Sequence, residues 1–266
     1  KRHARFEKPY FRSHPACIEY RDVSFIQYTH KMLVPMHVCL FDIDGTLIDT
    51  GGAGQRSILH MLEEVFQVSA PVEGIPTAGR TDHSIMVDLF EFFNIANTSE
   101  NRQRFEQGYL KLLAEKLLEH QGRVLPGIRE ILESLSQQEN VDLGLLTGNF
   151  EQGAKQKLAH YELQQYFDFG AYGDHHADRD DVAHEALRQI RERHAAELLE
   201  RTSVWVLGDT PNDITCARAI GANVIAVATG VYSLEELRQC EPDYLFEHFE
   251  DVHAVLTLFE PPESLT

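Results

Sequence analysis

The chain has 266 residues, 43% of them hydrophobic, which is enough for one large domain or two small ones with buried cores. Its formal net charge of −18 argues against nucleic acid or an anionic membrane surface as a partner, because both are polyanions. No apolar run approaches the ~20 residues of a membrane span. An acidic protein that binds an anionic substrate needs local positive charge at the binding site, from a metal ion or a cluster of basic side chains.

Residues 1–35 differ in composition from the rest of the chain. Basic residues outnumber acidic ones there, whereas the remainder is strongly acidic, and no helical or strand period runs through the segment. Met36 stands directly before the first predicted strand. We therefore interpret residues 1–35 as an N-terminal arm that is poorly ordered or belongs to an over-extended reading frame.

The first predicted strand is a short apolar run at 37–41 that ends in two carboxylates. Asp42 and Asp44 stand two positions apart and are followed by Gly45 and Thr46. Two neighbouring carboxylates repel each other and lose hydration, so this arrangement usually persists where a metal ion or a reaction uses it. The alternative interpretation is an acidic turn in which Gly45 makes the bend and Thr46 caps a helix.

The segment after this strand carries helical periods and no strand period. One helix includes the apolar residues of 58–66, a second begins at a cap supplied by Thr81 or Asp82, and a third runs from 98 to 120. A loop is predicted at 71–76. We predict that residues 51–125 form an inserted α-helical cap.

From residue 126 onwards, helices and strands alternate. Strands are predicted at 141–146, 167–172, 203–207, 224–227 and 243–246. Helices are predicted from Pro126 through Leu132, through Ala154, Leu158 and Tyr161, and at 182–199, 214–220 and 233–239, with a polar loop at 174–181. This alternation predicts the α/β class, a doubly wound parallel sheet built from residues 36–50 and 126–266.

Three predicted strands end in polar side chains, namely Asp42 with Asp44, Thr147 with Asn149, and Asp209 with Asp213. Because the carboxyl ends of parallel strands meet at one edge of a sheet, these side chains are expected to converge. Carboxylate and hydroxyl oxygens are ligands that suit Mg²⁺.

Three motifs in this order and spacing resemble those of the haloacid dehalogenase superfamily, in its phosphoglycolate phosphatase-like group with a helical cap. They are Asp42-Ile43-Asp44-Gly45-Thr46, Leu146-Thr147-Gly148-Asn149 and Gly208-Asp209-Thr210-Pro211-Asn212-Asp213. The resemblance covers residues 36–260. It implies a Mg²⁺-dependent phosphatase that hydrolyses a small phosphate monoester, phosphoglycolate-like or a sugar phosphate, through an aspartyl-phosphate.

The resemblance also assigns roles to the acidic residues. Asp42 would be the nucleophile, and Asp44 would protonate the leaving alcohol and then activate water. The metal set would be Asp42, the backbone carbonyl of Asp44, Asp209 and Asp213, the last acting through a bound water or the fixed cation. Since a halide leaves without a proton, Asp44 favours a phosphate ester over a carbon–halogen bond.

The predicted substrate contacts come from the motifs and from the cap. The Thr147 hydroxyl and the Gly148 amide would bind phosphoryl oxygens, and Thr46 and Asn149 are grouped with them. Arg80, in a Gly-Arg-Thr-Asp turn, is expected either to contact substrate or to pair with an internal carboxylate.

The family implies a fixed cation beside the nucleophile, usually lysine, at the start of a helix where this chain has Arg179. A guanidinium can fill that place with two parallel hydrogen bonds. Lys155 and Lys157 are alternatives, although the simpler interpretation is that both lie on a solvated helix surface. His175 and His176 suggest a second metal site, but a solvated loop is the better interpretation because adjacent residues lack ligand spacing.

Other functions stay open at this point. A phosphomutase would use the same nucleophile and return the phosphoryl group to a sugar. A phosphonate hydrolase would need a cap lysine that forms a Schiff base, and a binding module would bind without turnover. The four scattered cysteines favour free thiols in a reducing cytoplasm over a disulfide framework.

Overall fold

The computed structural model describes residues 36–68 and 76–260, all of them within one compact unit, Pro35–Thr266. The arm predicted at 1–35 lies outside the described residues, and so does the loop predicted at 71–76, except for Pro76. Both therefore stay predictions. None of the helices in the described ranges has the length and hydropathy needed to cross a bilayer.

Eight strands are present in the described ranges. They are β1 (Met36–Phe41), β2 (Ile48–Asp49), β3 (Arg123–Val124), β4 (Val141–Leu146), β5 (Phe169–Ala171), β6 (Thr202–Gly208), β7 (Asn223–Val227) and β8 (Tyr244–Phe246). Six of them form a parallel sheet in the order β5-β4-β1-β6-β7-β8. The predicted α/β fold with a parallel sheet is confirmed, and β1 lies in its centre.

The helices are α1 (Ala53–Phe66), α2 (Asp82–Phe92), α3 (Ser99–Glu119), α4 (Ile128–Ser136), α5 (Glu151–His160), α6 (Arg179–Arg193), α7 (Ala196–Leu199), α8 (Pro211–Ala219), α9 (Leu234–Gln239) and α10 (Val252–Leu256). Of the two candidate caps for α2, Thr81 is the one used, since its hydroxyl accepts a hydrogen bond from the Ser84 amide at 3.1 Å. α4 begins after Gly127, two residues beyond the proline predicted to open it.

The prediction that no strand lies in the segment after β1 is wrong at two places. β2 and β3 form an antiparallel pair, with Ile48 opposite Val124 and Asp49 opposite Arg123. Each strand has only two residues, too few to show an alternating pattern. This pair joins the start of the helical segment to its end, and the division into a cap at 51–125 and a core stays a prediction.

The bounds of two further helices were also predicted wrongly. The helix expected at 182–199 is divided, because α6 begins at Arg179 and ends at Arg193 before the short α7. Asp178 caps α6 by accepting from the Asp180 amide. α8 begins at Pro211, three residues before the predicted start, because the preceding Thr210 forms a capping box. Polar first turns of this kind hide a helix start among loop-forming residues.

The sheet is buried on both faces. Along β1, Cys39 and Phe41 belong to one hydrophobic cluster, whereas Val38 and Leu40 belong to a second. Alternation between two clusters is what a strand covered on both sides requires. The buried apolar residues of α1, α2 and α3 join the first cluster, which places the helical segment on that side of β1.

Candidate active site

The carboxyl ends of β1, β4 and β6 meet at one edge of the sheet. Phe41 pairs with Leu145 on one side and with Leu207 on the other, so the residues after these positions come together. Asp42 donates its amide to the Leu207 carbonyl at 2.9 Å. A cavity of about 440 Å³ opens above this edge, and residues of the helical segment complete its wall.

Three buried carboxylates form the acidic centre of the site. Asp42, Asp209 and Asp213 each offer one oxygen, and these oxygens lie within 4.8 Å of one another. Burial, followed by the charges of Asp213 and Asp44, raises the pKa of Asp42 to about 7. Burial and the charges of Asp213 and Asp42 likewise raise the pKa of Asp209 well above its ordinary value. Converging hard oxygen donors of this kind fit Mg²⁺.

The turn after Asp44 supports Asp209. Thr46 donates its hydroxyl to Asp209 Oδ1 at 3.1 Å and is completely buried. Gly45 has φ 83°, and a Cβ there would lie 2.4 Å from Asp209 Oδ2, so only glycine fits. The hydroxyl of Thr46 therefore orients a carboxylate of the acidic centre, which does not support the substrate contact predicted for it.

Arg179, the first residue of α6, lies where the sequence analysis expected the fixed cation. Its Nη1 is 3.4 Å from Asp42 Oδ1, while Nη2 donates to Asp213 Oδ1 and to the Leu146 carbonyl. Burial works against the charged form, but Asp213 and Asp42 outweigh it and hold the pKa of Arg179 above its ordinary value. The guanidinium thus stays charged beside Asp42.

Asp213 is held from two directions. Its Oδ2 accepts from the amide of Thr210 at 3.0 Å and from the hydroxyl of the same residue at 2.7 Å, as the capping box of α8 requires. Its Oδ1 accepts from Arg179. A carboxylate held by a helix cap and a cation has little freedom to rotate. Asp213 therefore also fixes the position of the Arg179 guanidinium.

The loop after β4 brings Thr147, Gly148 and Asn149 to the same edge. The Asn149 side-chain amide donates to Thr147 Oγ1 at 2.8 Å and to Asp44 Oδ2 at 2.9 Å. The Gly148 carbonyl accepts from the Asp82 amide at 2.7 Å. A Cβ on Gly148 would lie 2.0 Å from the Arg80 carbonyl oxygen, so the start of α2 packs directly on this loop.

Lys157 lies inside the site, not on the solvated helix surface where it was expected. It is 4% exposed, and its Nζ lies 2.5 Å from Asp44 Oδ2 and 2.6 Å from Asn149 Oδ1. The interpretation as a solvated surface lysine is therefore wrong. It is correct for Lys155, which is exposed and pairs with Glu151 on the same helix. The signal was present, because Lys157 lies three residues after Ala154 on the apolar face of α5.

The other candidates named from the sequence are Arg80 and the histidine pair. Arg80 donates to Asp88 Oδ2 at 2.7 Å, so of its two expected partners the structure shows the internal carboxylate, although Arg80 also lines the cavity. His175 is exposed and His176 half-buried. Within the described ranges, no group able to share a metal ion includes either histidine.

Comparisons with known proteins agree with this geometry. The model of the haloacid dehalogenase-like hydrolase family matches residues 39–227. The chain therefore belongs to the haloacid dehalogenase-like hydrolases.

Individual relatives match over most of their length. A phosphoglycolate phosphatase of Agrobacterium fabrum is 29% identical over 236 residues, which cover 87% of this chain and 95% of that protein. The pyrophosphatase PpaX of Bacillus mycoides is 24% identical over 225 residues, covering 84% and 97%. The crystal structure of a hydrolase from Pseudomonas syringae has a TM-score of 0.62 at 22% identity and covers 84% of this chain and 98% of that one. The last likeness shows a shared fold.

Proposed function

We propose that the protein is a Mg²⁺-dependent phosphatase that hydrolyses a small phosphate monoester through an aspartyl-phosphate on Asp42. The observation that carries the proposal is the pairing of a buried carboxylate, Asp42, with the buried cation Arg179 at the floor of a cavity. The phosphatase and pyrophosphatase names of the relatives support it.

The chemistry divides between two carboxylates. Asp42 attacks phosphorus, and as the bond from phosphorus to the ester oxygen breaks, Asp44 gives its proton to that oxygen. Asp44 then takes a proton from water, which attacks phosphorus and releases phosphate from Asp42. Arg179 holds Asp42 in place and balances charge on the phosphoryl oxygens, as phosphoryl transfer demands. Thr147 and the Gly148 amide are the proposed contacts of those oxygens.

Asp42, Asp209 and the backbone carbonyl of Asp44 are the groups that would hold Mg²⁺, with Asp213 acting through a bound water or Arg179 because Thr210 and Arg179 already occupy its oxygens. When bound, the ion supplies positive charge that offsets the acidic centre and favours approach of an anionic ester. The fit rests on the three converging carboxylates.

The wall of the cavity above the acidic centre supports a role of the helical segment in substrate choice. Ile58, Arg80, Ile85 and Tyr109 line it opposite the sheet edge. We propose that residues 51–125 act as a cap whose side chains contact the leaving group and keep water out. Three cysteines in the described ranges, at 39, 216 and 240, are free thiols, which supports a reducing compartment such as the cytoplasm.

The proposal is tested by phosphate release from a panel of small phosphate esters, with Mg²⁺ and with excess chelator. We expect release from a few related esters in Mg²⁺ and its loss on chelation. The panel includes sugar phosphates with product analysis, so isomerisation without free phosphate would reveal a mutase. The absence of release from every ester, with folded protein, would contradict the proposal.

A further inference from the structure

The site contains a second buried cation that the family roles described above do not use. Lys157 lies on α5, and its ammonium is buried between Asp44 and Asn149. Burying a charge costs several kcal/mol unless it is well paired, so such a group usually persists where its charge is used. Resting on the proposed function, we infer that Lys157 is a positioning residue that holds Asp44 for proton transfer to the leaving group.

The two buried cations of the site contact different carboxylates. Arg179 contacts Asp42 and Asp213, whereas the cation bonded to the Asp44 side chain is Lys157. The Asp44 side chain is 41% exposed to the cavity region and its partner is 4% exposed. An exposed carboxylate on a turn samples several rotamers, and a buried, rigid ammonium selects one of them.

Three side chains close a ring of hydrogen bonds. Lys157 donates to Asp44 Oδ2 and to Asn149 Oδ1, and the Asn149 amide donates to the same Asp44 Oδ2 at 2.9 Å. Because Lys157 occupies its carbonyl oxygen, Asn149 must present its NH₂ group to Asp44 and to Thr147. The ammonium therefore fixes the orientation of Asn149 as well as that of Asp44.

The convergence of both donors on one oxygen distinguishes the two oxygens of Asp44. Oδ2 accepts from an ammonium and an amide, so Oδ1 is the oxygen that these donors leave available for proton exchange with the leaving group. In the transfer step the Oδ1–H bond breaks, the proton bonds to the ester oxygen, and that oxygen keeps the electron pair of its broken bond to phosphorus. Both hydrogen bonds to Oδ2 persist throughout, so the carboxyl group does not turn away after the transfer.

If Lys157 were purely structural, its loss would affect all substrates alike. If it positions Asp44, its loss should affect only those substrates whose leaving group needs a proton, and this contrast can be tested. An alkyl ester needs a proton on its leaving oxygen, whereas p-nitrophenyl phosphate releases a stable anion without one. We expect Lys157→Met to lower kcat/KM for an alkyl phosphate by roughly 10- to 100-fold, and for p-nitrophenyl phosphate by less than about threefold. Asp44→Asn is expected to show the same selectivity, and the double variant to lose no more than Asp44→Asn alone.

Lys155→Met is the matched control, since it removes an exposed lysine from the same helix and is expected to leave both rates unchanged. Lys157→Gln, whose neutral amide ends one bond short of the ammonium and so does not reach Asp44 at the same distance, serves if the methionine variant does not fold, and a selective loss is expected there too. An equal loss on both esters, or no loss, would overturn the role of Lys157. A wild-type protein inactive on every ester of the panel would instead refute the proposed function, so the two failures are distinguishable.

Discussion

Arg179 and Lys157 show how much single residues can be predicted. Arg179 was expected beside Asp42 because it stands where the family motif has its cation, and its guanidinium lies 3.4 Å from that carboxylate. Lys157 has no motif around it, and its residue type is usually exposed. Its burial follows from the face of α5 on which it falls, and from a carboxylate that is 113 positions away along the chain.

Asp82 links α2 to the loop that carries Gly148 and Asn149. Its Oδ2 accepts from the Phe150 amide at 2.8 Å. Burial raises its pKa from 3.8 to about 6, against the opposing effect of Lys157. Because the folded state then favours the protonated carboxyl, the contribution of Asp82 to wild-type stability should fall as the pH rises from about 4 through 6 and above, by up to roughly 2–3 kcal/mol.

Asp82→Asn keeps an acceptor for the Phe150 amide and removes this charge. We therefore expect the variant to melt above the wild type at about pH 8 and close to it at about pH 4, where both side chains are neutral. Thermal unfolding in chelator at the two pH values measures the difference. A gap in Tm of the same size at both values would contradict the interpretation.

At the scale of elements, the strands were predictable and several boundaries were not. β1, β4 and β6 are largely apolar and end in buried apolar residues, as strands covered on both faces do. The starts of α6 and α8 were missed because their first turns are polar, and β2 and β3 because each has two residues. The contact between α2 and the loop after β4 joins residues far apart in sequence, so no local pattern shows it.

This contact makes Gly148 a point at which no side chain fits. A Cβ there would lie 2.0 Å from the Arg80 carbonyl oxygen, and backbone cannot move aside cheaply. We expect Gly148→Ala to lower the free energy of unfolding by about 2 kcal/mol or more and to abolish most activity.

Gly153→Ala is the control for this change. Gly153 lies in α5 only five residues away, and a Cβ there would meet side chains at 3.5 Å or more, which is ordinary contact. Alanine in a helix is expected to leave stability unchanged or raise it by about 0.5–1 kcal/mol. Urea unfolding of both variants measures the contrast. Equal stability of Gly148→Ala and Gly153→Ala would contradict the packing described for the loop.

At the scale of the whole molecule, the sheet order explains why motifs spread over the chain form one site. β1 lies between β4 and β6, so the residues that follow these three strands meet at one edge. Local sequence predicts each strand end, and the parallel arrangement predicts that they converge. The sequence does not predict which side chains of the helical segment line the cavity, because that depends on how the segment packs over this edge.

The net charge of −18 gives an anionic ester no general attraction to the protein. Under the proposed function an ester therefore needs local positive charge, and the described site has Arg179 and Lys157 buried among its carboxylates. Both are paired within the protein, so the proposed Mg²⁺ would supply the further positive charge.

The most direct test of the central claim is phosphate release by Asp42→Asn, measured in Mg²⁺ beside the wild type on the best ester of the panel. Asparagine keeps the size of the side chain and cannot form an aspartyl-phosphate, so we expect release to fall by at least about 10³-fold while the melting curve stays that of a folded protein. A folded Asp42→Asn variant that releases phosphate at the wild-type rate would contradict the account.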